Sequence, residues 1–421
     1  MILGWMCSLG LAAQLSLDDC QRLAAAHYPL IKKYDLISQT TQYTVKNIRQ
    51  GYLPRIAVTG QGTLQNEVPA LPGVLREMLA ARDMDVKGLK KDQYRVGLDV
   101  DQLVWDGGQI KKQKQLAEVQ GKVEQLQNDV QLYALRSRIN ELYFGLLSID
   151  EHIALSQTLG ELLTRNRERL VALERGGMVM AADVDAVRAE ELEVRQQTRS
   201  LQMVQSGLRE VLALFIGKDK SELQHLLKPQ YADLQGGASQ RPELRLFDVQ
   251  QQQMRLRTAQ LDRARYPQLR FFAKGGYGYP GFDYFDDMFR HDWKWTAMVG
   301  LRLRWDISSF YTQHNERRRL SLSQDKIDNA REVFLFNSRL QATRQRAEWQ
   351  RYQQMMSEDD EIVRLRQSVR EAAEVRLEKG VIDVVQLLQE ITKENEARIA
   401  RSSHQIDMLK SLYELKYTLN Q

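Results

Sequence analysis

The chain has 421 residues, 43% of them hydrophobic and 27% charged, with a mean hydropathy of −0.49. No stretch approaches the ~18 apolar residues that a membrane-spanning helix needs, so a crossing of a membrane could be made only by strands. Sixty Lys and Arg against 55 Asp and Glu leave a net charge of +5. Bases and acids alternate along helical segments, which excludes a nucleic-acid platform apart from the local cluster Arg317, Arg318 and Arg319.

Taken in chain order, residues 1–13 are apolar and end in Ala12 and Ala13, like the end of a secretory signal without its basic start. We read them as a residual or atypical signal segment. Cys7 follows Met6 rather than the small residue that a lipid anchor requires, so lipidation is not expected. Cys7 and Cys20 are the only cysteines, too few for a disulfide framework or a Cys-rich metal site.

The eight prolines leave 156 residues after Pro72 and 141 after Pro280 without one, which permits two long helical regions. Each region has the same preface. Tyr52-Leu53-Pro54 leads to a strand over 55–64, and a second strand over 94–104 ends at Trp105-Asp106. Tyr266-Pro267 leads to a strand over 269–279, and another over 293–304 ends at Trp305-Asp306, 200 positions after the first pair. Glu174-Arg175-Gly176-Gly177 and Glu378-Lys379-Gly380 then punctuate the two helical regions, 72 and 75 residues beyond their tryptophans. Markers recurring in order define a duplicated strand-strand-helix-helix unit.

The helical regions carry coiled-coil spacing. Val184, Val187, Glu191, Val194, Thr198, Leu201, Gln205, Leu208, Leu212 and Phe215 follow steps of three and four, as do Leu132, Leu135, Ile139, Leu142, Leu146, Ile149 and Ile153. The polar members of the first run imply a seam that is partly wet or shared between subunits. A continuous helix from Trp105 to Gly177 would reach about 108 Å at about 1.5 Å per residue, far longer than a globular enzyme needs.

The strands alternate. Trp293, Trp295, Val299, Leu301 and Leu303 share one parity with Lys294, Thr296, Arg302 and Arg304 between them, and Tyr94, Val96 and Leu98 alternate with Arg95, Gly97 and Asp99. Period-two alternation over about ten residues with terminal aromatics fits a transmembrane β-barrel with a wet lumen and also a half-buried soluble sheet; four such strands beside helices of this length favour the barrel, with these apolar residues as the expected lipid-facing belt. A sheet in lipid must close on itself, and the smallest such barrels have about eight strands. Several copies of the chain must therefore share one barrel, with the segments 67–92 and 280–292 as outward connections.

These residues resemble the TolC family of outer-membrane factors over nearly the whole chain. Ser16-Leu17-Asp18-Asp19-Cys20 with Leu23-Ala24 is similar to the family's opening helix, with Ser16 and Asp19 as a capping pair. Arg241-Pro242-Glu243-Leu244 is similar to the opening of its second repeat, and Trp105-Asp106-Gly107-Gly108 to its strand-to-helix junction. The second junction, Trp305-Asp306-Ile307-Ser308, lacks the glycines.

The resemblance implies an α+β membrane protein, mainly α. Its tandem repeats would build a shared trimeric 12-stranded β-barrel in the outer membrane of a Gram-negative bacterium and a long periplasmic α-helical barrel. The first repeat would cover 14–216, with a helix over 16–50 and a helical hairpin over 108–216. A connector over 217–240 would precede a second repeat over 241–421, with a helix over 241–265 and a hairpin over 308–420. The implied function is a passive export duct, the channel subunit of a tripartite efflux pump or a type I secretion system. Its implied partners are a periplasmic adaptor, an inner-membrane transporter and outer-membrane lipid, with no cofactor.

In that picture the hairpin tips near Gly177 and Gly380 dock the adaptor, with Met178, Asp183 and Val381 beside them. Where the family's best-known members carry an acidic entrance ring, this chain has Gln386 and Gln389, with Asp383 and Glu390 as nearby acids. A neutral constriction attracts cations less strongly than carboxylates do.

No catalytic constellation emerges. The histidines His27, His152, His225, His291, His314 and His404 are scattered singly, with no helical pair to chelate a metal. Gly275, Gly276 and Gly278 lack the Lys-Ser/Thr of a phosphate loop and lie among strand-like aromatics; Asp99 and Asp101 read as lumen lining. Arg317–Arg319 suits either lipid head groups, a tunnel neck or a plain solvated helix face. A soluble structural coiled coil would leave the alternating strands unexplained, and a periplasmic adaptor carries one hairpin where this chain has two.

Overall fold

The structure, a computed structural model, describes residues 15–223, 225–230 and 240–420. The signal-like segment 1–13 with Cys7, and residues 231–239 of the expected connector, lie outside the described residues. The chain runs α1 (Leu17–His27), α2 (Lys32–Arg49), β1 (Arg55–Leu64), α3 (Gly73–Ala80), β2 (Asp92–Trp105), α4 (Gln109–Arg175) and α5 (Ala181–Ile216). It continues through α6 (Pro242–Ala264), β3 (Gln268–Tyr279), α7 (Tyr284–Phe289), β4 (Lys294–Arg304), α8 (Ser309–Glu378) and α9 (Val384–Leu419). No helix of the described residues is long and apolar enough to cross a membrane.

Contacts divide the chain into two compact units, each drawn from both repeats. One joins Leu36–Glu124 to Asp248–Asp328, and the other joins Met1–Asp35, Gln125–Phe247 and Asn329–Gln421.

The first unit holds one antiparallel sheet in the order β1-β2-β3-β4. The register runs from Arg55↔Asp101 to Leu64↔Asp92, from Tyr94↔Tyr279 to Trp105↔Leu269 through a bulge at Leu103/Trp105, and from Gln268↔Arg304 to Gly278↔Lys294. Among the described residues, the outer edges of β1 and β4 have no partner strand. β4 begins at Lys294, so Trp293 lies just before the strand rather than in it. It still packs with Trp295 against Tyr277, the rings tilted at centroid distances of 5.5 and 5.2 Å.

The connections at one end of the sheet have a small core of their own, Leu71, Leu89, Tyr279 and Met288. There the Tyr279 hydroxyl accepts the Lys90 N–H at 3.1 Å and donates to the Asp287 carbonyl at 3.1 Å. Below the sheet strands in sequence, α2 and α4 approach closely at Gly121, where an added Cβ would lie 2.3 Å from Thr41 Oγ1.

The second unit contains two apolar cores. In one, Leu15, Cys20 and Ala24 of the amino-terminal segment meet Ile139, Tyr143 and Leu146 of α4, Leu212 of α5 and Leu409 of α9. Tyr143 lies with its hydroxyl 2.9 Å from the Leu15 carbonyl and 2.5 Å from that of Leu227, tying α4 to a short parallel bridge between Leu15 and Leu226. In the other, Leu163 and Leu170 of α4, Val187 and Val194 of α5, Ala373 and Leu377 of α8 and Val384, Leu387 and Ile391 of α9 close four helices on one another. Buried knobs at three-and-four spacing drive this packing.

One expectation needs correction. The helix expected over 16–50 is two helices, because Pro29 holds Tyr28 extended (ψ 134°) and a 3-10 turn over Pro29–Ile31 intervenes. The polar members of the α5 seam find partners within the chain, beside a cavity of about 620 Å³ lined by Ser156, Thr164, Glu191 and Thr198. Glu191 pairs with Arg167 at 2.8 Å, Thr198 with Ser156 at 2.6 Å and Gln205 with Asp150, all across to α4.

Candidate functional site

Residues directly opposite in an antiparallel ladder project from the same side, so the register sorts the sheet into two faces. One face carries Ile56, Val58, Tyr94, Val96, Leu98, Val100, Phe271, Ala273, Tyr277, Trp295, Val299, Leu301 and Leu303. All eight residues expected in the apolar belt are exposed in the isolated chain, Trp295 at 82%. An apolar face of this extent needs a covering, since water exposure costs about 25 cal/mol per Å².

The opposite face carries Arg55, Arg95, Arg270, Lys274, Lys294, Arg302 and Arg304 against Asp99 and Asp101. Arg270 pairs with Asp101, and Lys294 reaches Asp286 and, at 2.9 Å, Asp287 in the adjoining connection. The Lys294 ammonium beside Asp286 holds that carboxyl below its ordinary range.

Both strand-to-helix junctions are built on the Trp-Asp pair. The buried Asp106 accepts the N–H groups of Gly108 at 2.8 Å and Ile110 at 2.6 Å, capping α4. Asp306 accepts the Ser308 N–H at 3.1 Å, and the Trp305 indole donates to the Arg265 carbonyl at 3.0 Å. Gly107 and Gly108 take positive φ, whereas the second junction turns without a left-handed residue, which is why it does without glycine. Of the basic cluster that follows, Arg317 pairs with Asp262 and Arg319 with Glu316.

The helical tips at Gly177 and Gly380 are equivalent. Each glycine is left-handed, at φ 75° and 69°, and closes a Schellman end with Met178 N–H on Leu173 O at 3.0 Å and Val381 N–H on Arg376 O at 2.9 Å. Met178 and Val381 are exposed there. Asp183 is half-buried and accepts the Met180 N–H at 2.9 Å, while Asp383 caps α9 by accepting the Gln386 N–H at 2.7 Å. Both acids therefore start helices, and the Gln386 and Gln389 side chains are exposed beside them.

Sequence reading missed a buried ion triad near each tip. Glu191 bridges Arg167 and Arg195 at 2.8 and 2.9 Å, and Glu394 bridges Arg370 at 2.7 Å and Arg398. The three residues recur 203 positions apart, the separation of Gly177 from Gly380, and that shared offset was the available signal. Burial opposes the Arg370 charge, but the hydrogen bonds it donates to Glu394 and Glu374 outweigh it and hold its pKa above the ordinary value. Arg241, opening the second repeat, is boxed by the rings of Tyr133, Phe334 and Tyr417 at 5.4, 4.9 and 5.3 Å and paired with Glu243. Among the described residues no three His, Cys, Asp or Glu side chains converge as a metal site.

No family model and no curated protein matches the chain. Solved structures do. The outer-membrane channel OprN superimposes with a TM-score of 0.69 at 13% identity, covering 96% of this chain and 89% of that one. The outer-membrane protein VceC from Vibrio cholerae gives 0.69 at 11%, covering 96% and 94%. The open state of the Neisseria gonorrhoeae MtrE outer-membrane channel gives 0.66 at 15%, covering 96% and 88%. Over nearly its whole length, then, the chain has the fold of the TolC-type outer-membrane channels.

Proposed function

We propose that this chain is the channel subunit of an export duct in the outer membrane of a Gram-negative bacterium, and that three copies close one twelve-stranded barrel. The observation that carries this reading is the sheet, which is apolar on one face, charged on the other and unpaired at both edges. Four strands of alternating direction leave β1 and β4 antiparallel, so identical chains joined edge to edge continue the same ladder. Lipid demands that closure, because an unpaired backbone group in hydrocarbon costs several kcal/mol.

The long helix α8 supports an assembly independently. Only five of its 70 residues are buried, and two separate runs, Val333, Phe336 and Leu340, and Ile362, Leu365 and Val369, stand exposed, each on a three-and-four spacing. Such a stripe is the seam of a helix whose partner is another copy. On this reading the tips around Gly177 and Gly380 dock a periplasmic adaptor. The adaptor links the duct to an inner-membrane transporter, as part of a tripartite efflux pump or a type I secretion system, and the duct itself performs no chemistry.

Membrane fractionation and gel electrophoresis test the assembly. The full chain should extract from outer membranes only with detergent and migrate unheated in SDS as a trimer that boiling converts to monomer. A monomer that stays soluble without detergent would overturn the reading.

A further inference from the structure

If the charged face of the sheet lines a conduit, its charges are unbalanced. Arg55, Arg95, Lys274, Arg302 and Arg304 make no ion pair among the described residues; the acids that oppose them are Asp99, directly across the ladder from Lys274, and Asp306, on which Arg304 acts, so the face keeps a positive excess. The remaining charges cancel locally, Arg270 on Asp101, and Lys294 with Arg290 on Asp286 and Asp287.

Three of these cations lie toward the strand ends that lead to and from the helices. Arg55 begins β1, while Arg302 and Arg304 end β4 opposite Arg270 and Gln268. Repeated in every copy, they make a ring of arginines at the rim where the strands give way to helices.

Curvature identifies this face as the inner one. On it, a Cβ added at Gly278 would lie 2.4 Å from the Tyr94 carbonyl, and one at Gly276 would lie 2.8 Å from Arg95 Nε. On the apolar face the spacing is looser: Gly60 has nothing within 4 Å, Gly275 meets only an atom at 4.0 Å, and a Cβ at Gly62 would lie 3.3 Å from the Tyr94 ring. Side chains converge on the concave side of a bent sheet and diverge on the convex side, so the charged face is concave.

From these observations we infer that the conduit prefers anionic permeants, small anions and anionic export substrates, and that Arg302, Arg304 and Lys274 set this preference. The inference rests on the channel reading above. Fixed charge of one sign in a low-dielectric wall concentrates counter-ions and excludes co-ions, and the wall is basic.

The test is the reversal potential of the full chain, inserted in planar bilayers across a KCl gradient at low ionic strength, where screening is weak. Chloride should be several-fold more permeant than potassium. Arg302→Glu with Arg304→Glu, and separately Lys274→Glu, should move the reversal potential toward potassium in trimers that still migrate as such, while Arg302→Lys with Arg304→Lys leaves it unchanged. Conductance that prefers potassium, or a chloride preference unmoved by both charge reversals, overturns this inference and leaves the channel intact. Inserted protein with no conductance overturns the channel reading and this inference together.

Discussion

Truncating Glu394 and Glu191 to alanine perturbs the same interaction in two settings that differ in burial. At the second triad the Glu394 side chain is 5% exposed and its partners Arg370 and Arg398 are 12% and 34% exposed. At the first, Glu191 is 10% exposed and its partners Arg167 and Arg195 are 32% and 54% exposed. Breaking a buried pair costs about 3 to 5 kcal/mol because the stranded partner stays desolvated. Arg370 keeps Glu374 at 3.0 Å, which puts Glu394→Ala near the lower end, about 3 kcal/mol. The partners of Glu191 are half in water and rehydrate, so Glu191→Ala should cost about 1 kcal/mol. At about 1.36 kcal/mol per tenfold, these become losses of about 150-fold and about fivefold in amide-exchange protection.

The assay is hydrogen exchange of the intact assembly, read by mass spectrometry in peptides of α8 and α9 for the one variant and of α4 and α5 for the other. Local opening near the tips reports the triads without requiring reversible unfolding of the whole protein. An effect of Glu191→Ala equal to or larger than that of Glu394→Ala would refute the reasoning that burial of the arginines sets the cost.

Two further outcomes follow from particular positions. Gly177→Glu and Gly380→Glu force a non-glycine residue into left-handed backbone with open space around it, a strain of about 1 to 2 kcal/mol, so trimers should persist on gels while export in cells is lost; normal transport by both variants would count against docking at the tips. Cys20 is fully buried and desolvation pushes its thiol up to about 12, so in a Cys7→Ser background it should resist maleimide near neutral pH in the native protein and label only after denaturation.

Much of the tip and junction geometry was legible because it depends on neighbours in sequence. A glycine ending a proline-free helical run becomes a left-handed cap at both tips, and the Trp-Asp pairs become strand ends followed by capped helices whichever partner lies alongside. The strand alternation was equally legible, since period two assigns a face before any partner is known. The break at Pro29 was also written in the chain, and it was missed by letting one expected helix override a local rule.

What the sequence by itself determined is therefore the duplicated plan, the two helical hairpins and the two-faced strands, all set by short-range sterics and periodicity. Tertiary structure alone decided that the polar seam residues of α5 find partners on α4, that Arg241 enters a box of three rings, and that the charged face of the sheet is the concave one. These depend on which distant side chains are brought within a few ångströms. A charged residue on a helix looks the same in sequence whether it faces water or an opposite charge from another helix.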